Sequence, residues 1–400
     1  MAAVSARLES RPGEVLTLLR AALTLFIITI VIGLINGQQS VQFDRGTLIT
    51  HLHSGTLGWI SLSVFAATIW LFSAGNDDDA QRRWISRFGV AAVSLYVILF
   101  YVAFPGRPLG SPALLAVGGT LAMLSMIWLW VWTVRQSRRI SMGVARLALL
   151  GAVTNMCLGA ILGVTVEARM MGAALAESFQ SAHPAMMVVG YLIPAGMALI
   201  EWRFKGLDAP RSLWGTVQVA APVVGGWCVI LGLLLGILPL VMLSLVLEIV
   251  AIVIFVVRMA RPVLALDWMG GIDRHIGIAS VALVISVVLF VYLIFSYVED
   301  FSKAPRGLIL GTDHMTFLGV LTNAILVMAY QATARRATVW PWSDQVQFWG
   351  INIGWIGFVA ALLTDTKALI PIFTPILGVC LLIAIATYAN RSTGESQTAS

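Results

Sequence analysis

Charged side chains are scarce in this chain: Asp, Glu, Lys and Arg make up 11% of its 400 residues, whereas hydrophobic residues make up 59%. Soluble domains carry about a quarter charged residues. The mean hydropathy is +0.91, and apolar runs of about 20 residues, the length needed to cross a bilayer, recur along the whole sequence. The composition therefore excludes a soluble protein and predicts a membrane protein built of helices, because backbone groups in lipid must bond internally.

The apolar runs predict twelve membrane spans in one all-α membrane domain covering residues 1–400. A polar segment over 389–400 is expected to be a disordered tail. The turn between the seventh and eighth spans is predicted at Gly236 to Pro239. The spans are expected at about 15–37, 51–74, 85–104, 113–134, 146–166, 182–202, 214–235, 237–259, 275–297, 313–334, 345–364 and 367–388.

Lys and Arg are unevenly distributed between the predicted loops. If the N-terminus is cytoplasmic, 19 of the 25 basic residues lie on the cytoplasmic side, as the positive-inside rule requires. We therefore predict a multi-pass protein of the cell inner (plasma) membrane with both termini cytoplasmic. The net charge of +6 is assigned to this topology and to contact with anionic lipid, not to nucleic-acid binding. The outer side keeps Arg45, Arg107, Arg169, Lys303, Arg306 and Lys367.

Cysteine is also rare, and its placement excludes two kinds of chemistry. Cys157, Cys228 and Cys380 lie singly inside predicted spans, so disulfides are not expected and the three side chains are interpreted as small buried apolar groups. No CxxCH motif is present, which excludes covalent attachment of haem.

Histidine occurs five times, and two of these residues lie in one short stretch, THLHSGTLGW, from Thr50 to Trp59. Neighbours at i and i+2 on a helix are about 200° apart. His51 and His53 should therefore leave opposite sides of the same helix. They cannot easily hold one metal ion together, but they can serve two sites that flank the helix.

The same pattern recurs at the outer entrances of the second, sixth and tenth spans, where Gly58, Gly190 and Gly319 can be aligned. One aligned column then holds His51, His183 and Thr312, and a second column holds His53, Ala185 and His314. The first column repeats after 132 and then 129 residues, and each interval covers four spans. We predict three four-helix repeats over 15–135, 146–259 and 275–388, related by a pseudo-threefold axis along the membrane normal.

Four histidines at matching depth are candidates for a site, because ionisable side chains within spans are costly and tend to face the bundle interior. Imidazole is a common ligand for haem iron and for copper. A lone histidine at a span end is more often an interfacial anchor, and this interpretation is favoured for His275, which begins the ninth span beside Arg274. The predicted ligands are His51, His53, His183 and His314.

The stretch HLHSGTLGW resembles the histidine-x-histidine helix of haem-copper oxidase subunit I, most closely its C-class cytochrome c oxidase form. His183-Pro184 resembles the histidine-proline that opens the sixth helix of that family, where the histidine binds copper. The resemblance implies twelve spans in three four-helix arcs around pores, with cofactors near the outer side. It implies haem b and a copper ion as cofactors, and an electron donor or oxidase-type partner subunits as partners besides the lipid bilayer.

This sequence departs from the family in its ligand pattern. The family carries the histidine pair on the tenth helix, whereas here it lies on the second. Residues 214–235 contain no histidine, so the adjacent pair that completes the copper site of the family is missing. Tyr191 lies two turns beyond His183, too far to match the redox tyrosine. The chain is therefore similar to NnrS-type haem-copper membrane proteins linked to nitric oxide stress, and oxygen reduction to water is not expected.

We predict that His51 and His53 point into two neighbouring pores and pair with His183 and His314. One pair would ligate haem b, and the other a second haem or a copper ion; the sequence leaves open which histidines pair. Arg45 and Arg169 could neutralise haem propionates or be solvated loop charges.

Other polar residues within spans carry weaker predictions. Glu248 is interpreted either as a protonated carboxyl bonded to its helix or as part of a proton path. Glu201 and Arg203 are expected to form an interfacial pair. Asp313 could orient His314 or cap its helix. Asn155 and Asn323 are expected to hydrogen-bond between helices.

The leading function is a haem-binding redox protein of the membrane, for electron transfer or for handling O2 or nitric oxide, and whether it is an oxidoreductase stays open. The alternative is a twelve-helix transporter without haem, and a third possibility is an oxidase-like fold with no cofactor, in which the histidines are interfacial only. Carriers generally have discontinuous helices and polar residues at the midplane, whereas the histidines here lie near the outer ends.

Overall fold

The fold is seen in a computed structural model that describes residues 13–73, 80–173, 178–207, 209–298, 300–333 and 340–393. Within these ranges the chain is helical and has no strand. Twelve helices are long and apolar enough to cross a membrane, which confirms a multi-pass architecture suited to a lipid bilayer. We number them α1 to α12. They run over Gly13–Gly37, Arg45–Phe72, Ala80–Ala103, Pro112–Ser137, Val144–Met170, Ser178–Lys205, Leu213–Leu235, Leu238–Leu264, Arg274–Tyr297, Arg306–Thr333, Ser343–Leu363 and Lys367–Ser392.

Each predicted span overlaps one helix, but α2, α6 and α10 begin four to seven residues earlier than predicted. In α2 the early start has a local cause, since the Asp44 carboxylate accepts the backbone N–H of Thr47 at 3.0 Å and caps the helix. In α10, Pro305 immediately precedes the first residue. His51 and His314 therefore lie more than a helical turn inside their helices, rather than at the ends.

The connection between α7 and α8 lies where the sequence predicts it. Gly236 has φ +68°, a left-handed conformation that glycine adopts without strain, and its N–H bonds to the carbonyl of Gly232. This is the usual way in which a helix ends at glycine. The backbone then enters α8 at Leu238.

The last helix continues to Ser392, so the expected disordered tail over 389–400 is wrong for its first residues. Arg391 donates to the carbonyl of Thr333 at 3.3 Å, and its guanidinium lies 4.2 Å from the ring centroid of Tyr330. The Arg20 side chain donates to Ser392 Oγ at 3.1 Å. These contacts with α10 and α1 keep the final turn helical. Residues 394–400 lie outside the described residues.

Three helices occupy the centre of the bundle. In the most apolar stretch of α2, 89% of the residues are buried, and the value is 83% in both α6 and α10, compared with 39–50% in the other nine helices. The helices that carry the four candidate histidines are therefore the central ones, and the other nine surround them.

Each central helix contains a π-helical segment: Ser54–Ser61 in α2, Met186–Leu192 in α6 and Met315–Thr322 in α10. A π-helical turn holds more residues than an α-helical turn, and such turns are frequent at functional sites. All three segments include the aligned glycines Gly58, Gly190 and Gly319.

Side-chain hydroxyls bind the π segments and connect the central helices. Ser61 Oγ donates to the carbonyl of Thr56, five residues earlier, at 2.9 Å. Thr322 Oγ1 makes the equivalent bond to Phe317 at 2.8 Å. Both hydroxyls also accept a hydrogen bond from another central helix: Tyr191 OH lies 3.1 Å from Ser61 Oγ, and Trp59 Nε1 lies 3.0 Å from Thr322 Oγ1. These bonds fix the rotation of the histidine-bearing helices relative to one another.

Candidate functional site

The four candidate histidines lie next to the π segments. His53 and His314 immediately precede their segments, and His183 lies three residues before the segment in α6. All four residues are half-buried. Their rings are thus held by the bundle without being enclosed on every side.

The histidines form two pairs of electrostatic neighbours, His51 with His314 and His53 with His183. We call the first pair the His51 site and the second pair the His53 site. The two histidines of α2 therefore have different partners, as their two-residue spacing predicts. The sequence leaves the pairing open, and this electrostatic proximity favours one assignment.

In two of the four histidines, Nδ1 bonds to a carbonyl of the preceding helix. His51 Nδ1 lies 2.9 Å from the carbonyl oxygen of Thr29 in α1. His183 Nδ1 lies 2.8 Å from the carbonyl oxygen of Gly159 in α5. Each site thus contains one histidine whose ring is bonded to one of the helices that surround the three central helices.

In the other two histidines, Nδ1 bonds to a carbonyl of the same helix, four residues earlier. His53 Nδ1 lies 2.9 Å from the carbonyl oxygen of Ile49, and His314 Nδ1 lies 2.7 Å from that of Leu310. Each site therefore pairs one ring held by an adjacent helix with one ring held by its own helix.

These four bonds determine the tautomer of each ring. A carbonyl oxygen can only accept a hydrogen bond, so Nδ1 carries the proton in each case. A neutral imidazole then has its lone pair on Nε2. Histidines that ligate metals almost always donate their other ring N–H in this way, commonly to a backbone carbonyl. Each pair thus has two Nε2 atoms whose lone pairs are free of a proton.

The His53 site has an aromatic and acidic wall. The ring of Phe100 stacks on His53 with centroids 4.0 Å apart, and the ring of Tyr96 lies 6.3 Å away. Tyr96 OH donates to the buried carboxylate of Glu167, whose Oε2 has no hydrogen-bond partner among the described residues. Sequence reasoning missed this pair because the predicted fifth span ended one residue before Glu167.

The His51 site also has an aromatic wall. His314 meets Phe358 of α11 edge-on at 5.0 Å, and Phe317 lies 6.4 Å away, both measured between ring centroids. On the other side, Gly33 of α1 lies beside the His51 ring. The two sites therefore have the same kind of histidine pair but different aromatic neighbours.

Arg107 binds the start of α2, the helix that bears His51 and His53. The sequence analysis instead named Arg45 and Arg169 as the arginines that could neutralise haem propionates. Arg45 is exposed and Arg169 is half-buried. Arg107 Nη2 lies 2.8 Å from Asp44 Oδ2, and Arg107 also donates to the Thr47 hydroxyl. Hydrogen bonds from Thr47 and the charge of Arg107 hold the pKa of Asp44 below its usual value. The signal in the sequence was weak, since Arg107 is one of six outer basic residues.

His275 is structural in this fold. It is buried at 2% exposure, and its Nδ1 lies 2.6 Å from Asn323 Oδ1. Asn323 Nδ2 in turn donates to the carbonyls of Leu318 and Gly319 in the π segment of α10. His275 is therefore a buried, hydrogen-bonded side chain and not the interfacial anchor that was expected.

Asn155 forms the interhelical bonds that were expected. Its Nδ2 donates to the carbonyl of Gly190 at 2.8 Å and to that of Val223 at 3.0 Å, and its Oδ1 accepts from Trp227 Nε1 at 2.8 Å. It thereby connects α5, α6 and α7 beside the π segment of α6. Asn323 also forms an interhelical bond, because its Oδ1 lies 2.6 Å from His275 Nδ1 of α9, while its Nδ2 donates within its own helix.

Glu201 and Arg203 do not pair with each other. Arg203 donates to Asp273 at 2.6 Å, and the Glu201 carboxylate binds Arg258 of α8 at 2.6 Å. Residues two apart on a helix point in different directions, so each finds a partner on another segment. The predicted interfacial pair is wrong.

Both expectations for Asp313 are also wrong. Nδ1 of His314 bonds to Leu310, so the carboxylate is not its partner. Asp313 cannot cap the helix either, because α10 begins at Arg306. Glu248 is fully buried, and neither carboxylate oxygen has a hydrogen-bond partner in the described parts of the chain. The expected bond from Glu248 to its own helix is absent there.

The described residues contain no group of three or more His, Cys, Asp or Glu side chains arranged to hold a metal ion. Within the described residues, each histidine pair could therefore offer a metal no more than its two imidazoles. Two ligands suit a metal whose other positions are filled by its own cofactor, and they leave a bare copper ion with fewer protein ligands than the two histidines and one cysteine of blue-copper sites.

Comparison with known proteins adds no family assignment: no protein-family model matches the chain, and no curated protein matches it in sequence.

Proposed function

We propose that this protein is a haem-binding redox protein of the membrane, in which the His51 site and the His53 site would each supply two imidazole ligands to one haem b. The observation that carries the proposal is the Nδ1–H···O=C bond made by all four paired histidines. Such bonds orient a ligand ring and increase its basicity at Nε2. Four interfacial anchors would have no need of the same tautomer.

The donor set fits haem b in number and type. A porphyrin fills four positions of its iron, and histidine is a common axial ligand. When bound, a haem held by two histidines would supply reversible one-electron transfer. The chain contributes the rings, their fixed orientation and an apolar surrounding that includes Phe100, Phe317 and Phe358.

Contacts of the aligned glycines support the three-repeat arrangement of the oxidase subunit I superfold. A Cβ atom at Gly58, Gly190 or Gly319 would meet Leu25, Asn155 or Ala282, respectively, at 2.7–2.8 Å. The contacted residues lie on α1, α5 and α9, the first helix of each proposed repeat. The same approach thus recurs three times, four helices apart.

We extend the proposal to cofactor and location as follows. The second pair holds a second haem or, as the alternative, a copper ion with ligands beyond the protein. The charge asymmetry of the loops supports an inner-membrane protein with cytoplasmic termini. The role is electron transfer or the handling of O2 or nitric oxide, with an electron donor as partner, as in the NnrS-type proteins that the sequence resembles.

The reduced-minus-oxidised visible spectrum of the purified protein, together with metal analysis, tests this function. We expect a b-type haem spectrum that His51→Ala or His314→Ala weakens and that His275→Ala leaves unchanged per folded chain. A wild-type protein with neither haem nor stoichiometric copper contradicts the proposal.

A transporter without haem is the second candidate, and the observation that favours it is the buried carboxylate of Glu248, which has no hydrogen-bond partner among the described residues. Ionisable groups near the middle of a span often mark ion or substrate paths. Against it, each of the twelve helices is continuous, whereas carriers commonly use broken helices at the midplane. Glu248→Gln should leave haem content unchanged if the redox proposal holds.

A further inference from the structure

A glycine lies beside the ring of each histidine that is held by the preceding helix. A Cβ atom at Gly33 would lie 3.0 Å from Cε1 of His51, and one at Gly163 would lie 3.0 Å from Cε1 of His183. This is closer than ordinary van der Waals contact, so a larger side chain at either position would displace the ring.

Both glycines occupy the same place relative to the carbonyl that binds the ring. Gly33 lies four residues after Thr29, and Gly163 lies four residues after Gly159, so each lies one turn further along the same face of its helix. The carbonyl fixes Nδ1 while the glycine leaves room for the other edge of the ring. The two sites thus share a carbonyl–glycine cradle.

The His51 site lies between α2 and α10, and the His53 site lies between α2 and α6. A third interface, between α6 and α10, can be aligned with these two from its contacts. Three residues before the aligned glycines lie Gly55, Met187 and Thr316. A Cβ at Gly55 would lie 3.2 Å from Thr29, a Cβ at Gly159 would meet Met187, and the hydroxyls of Ser286 and Thr316 are 2.5 Å apart. Ser286 in α9 therefore corresponds to Thr29 and Gly159.

The position that corresponds to Gly33 and Gly163 is consequently Phe290, four residues after Ser286. Phe290 is buried and packs in an apolar cluster with Met186, Val189, Leu245 and Ile294. At this interface the two histidine columns hold Ala185 and Thr312. The two missing histidines thus fall at the one interface where an aromatic side chain fills the place of the glycine.

We propose that Gly33 and Gly163 are positioning residues that admit one ligand ring into the His51 site and the His53 site, and that Phe290 closes the third interface. This inference rests on the proposed function. It assigns two cofactor sites to the chain. It also identifies Phe290 as the residue that distinguishes the third interface, which lacks both histidines, from the two histidine sites.

Substitution of each glycine by leucine, with haem per folded chain as the readout, tests this proposal. We expect Gly33→Leu and Gly163→Leu each to reduce haem b from about two per chain to about one. The exposed residues Val31 and Ile161, at 43% and 44% exposure on the same helices, provide the controls Val31→Leu and Ile161→Leu, which should retain both haems.

Combination with ligand variants separates positioning from loss of stability. Gly163→Leu together with His183→Ala should bind as much haem as His183→Ala alone, because both changes remove the same site. Gly163→Leu together with His51→Ala should bind almost none. Equal losses in both combinations overturn the positioning role, since general instability would not distinguish the sites.

The electron paramagnetic resonance spectrum of the remaining oxidised haem provides a second readout. Gly33→Leu should leave the signal that His51→Ala leaves, and Gly163→Leu should leave the signal that His183→Ala leaves. If the wild type contains two haems and both leucine variants keep them, the glycine proposal is wrong while the proposed function stands. If the wild type contains no haem, both fail.

Discussion

His51 and His53 lie two residues apart on α2, yet His51 neighbours His314 of α10 and His53 neighbours His183 of α6. One central helix therefore contributes a ring to each of the two proposed sites. Because α2 is also bonded to α6 through Ser61 and to α10 through Trp59, the packing of the three central helices determines the geometry of both sites.

The first prediction concerns the bond between Trp59 and Thr322. Thr322→Val removes the oxygen that accepts the buried Trp59 Nε1–H at 3.0 Å. A buried donor without an acceptor costs about 1–3 kcal/mol, so we expect the free energy of unfolding in detergent to fall by this amount. Thr364→Val, at an exposed position in the loop after α11, should have little effect. Equal stability of the two variants would contradict a stabilising role for the hydrogen bond between Trp59 and Thr322.

The second prediction concerns the ion pair between Glu201 and Arg258. Glu201→Gln leaves the Arg258 guanidinium in the bundle without its carboxylate, and breaking a buried pair costs about 3–5 kcal/mol. The matched control is Asp300→Asn, which breaks an exposed pair with Lys303 and should cost about 0–1 kcal/mol. Thermal unfolding of both variants measures the difference. A loss in Glu201→Gln no larger than in the control contradicts the buried role.

The third prediction concerns pH and the Asp44 cap. Asp44→Ala should lower stability at neutral pH by about 1 kcal/mol, because the cap of α2 is lost, whereas Asp44→Asn retains a capping side chain. The pKa of Asp44 lies below its ordinary value of 3.8 in the folded protein. Its charge therefore stabilises the fold above that value, and this contribution is lost as the pH falls through the lower folded pKa.

The unfolding midpoints of wild type and Asp44→Asn, measured from neutral pH down to about pH 3, report this contribution. We expect the wild type to be the more stable at neutral pH and the difference to narrow on acidification. A difference that widens as the pH falls would contradict the assignment.

The sequence predicts the twelve helices because hydropathy alone requires them, and it singles out the four histidines because ionisable groups in spans are rare. It does not predict their pairing, which depends on the rotation of each central helix. That rotation is set by the π segments and by interhelical hydrogen bonds such as the one from Tyr191 to Ser61. The hydropathy of an apolar run predicts neither of these features.

Long-range partners are unpredictable for the same reason. Glu201 was assigned to its sequence neighbour Arg203, but its partner Arg258 is 57 residues away on another helix. Tyr96 and Glu167 are 71 residues apart and meet beside His53. In each case the contact depends on which faces of two helices meet, and no sequence spacing encodes that.

The most direct test of the central claim is the haem b content of paired alanine variants, measured per folded chain. Each single variant of His51, His314, His53 or His183 should retain about one haem of about two. His51→Ala with His314→Ala should match the single variants, because both residues serve one site, whereas His51→Ala with His183→Ala should bind almost none. If the two double variants bind equal amounts of haem, the two-site account is wrong.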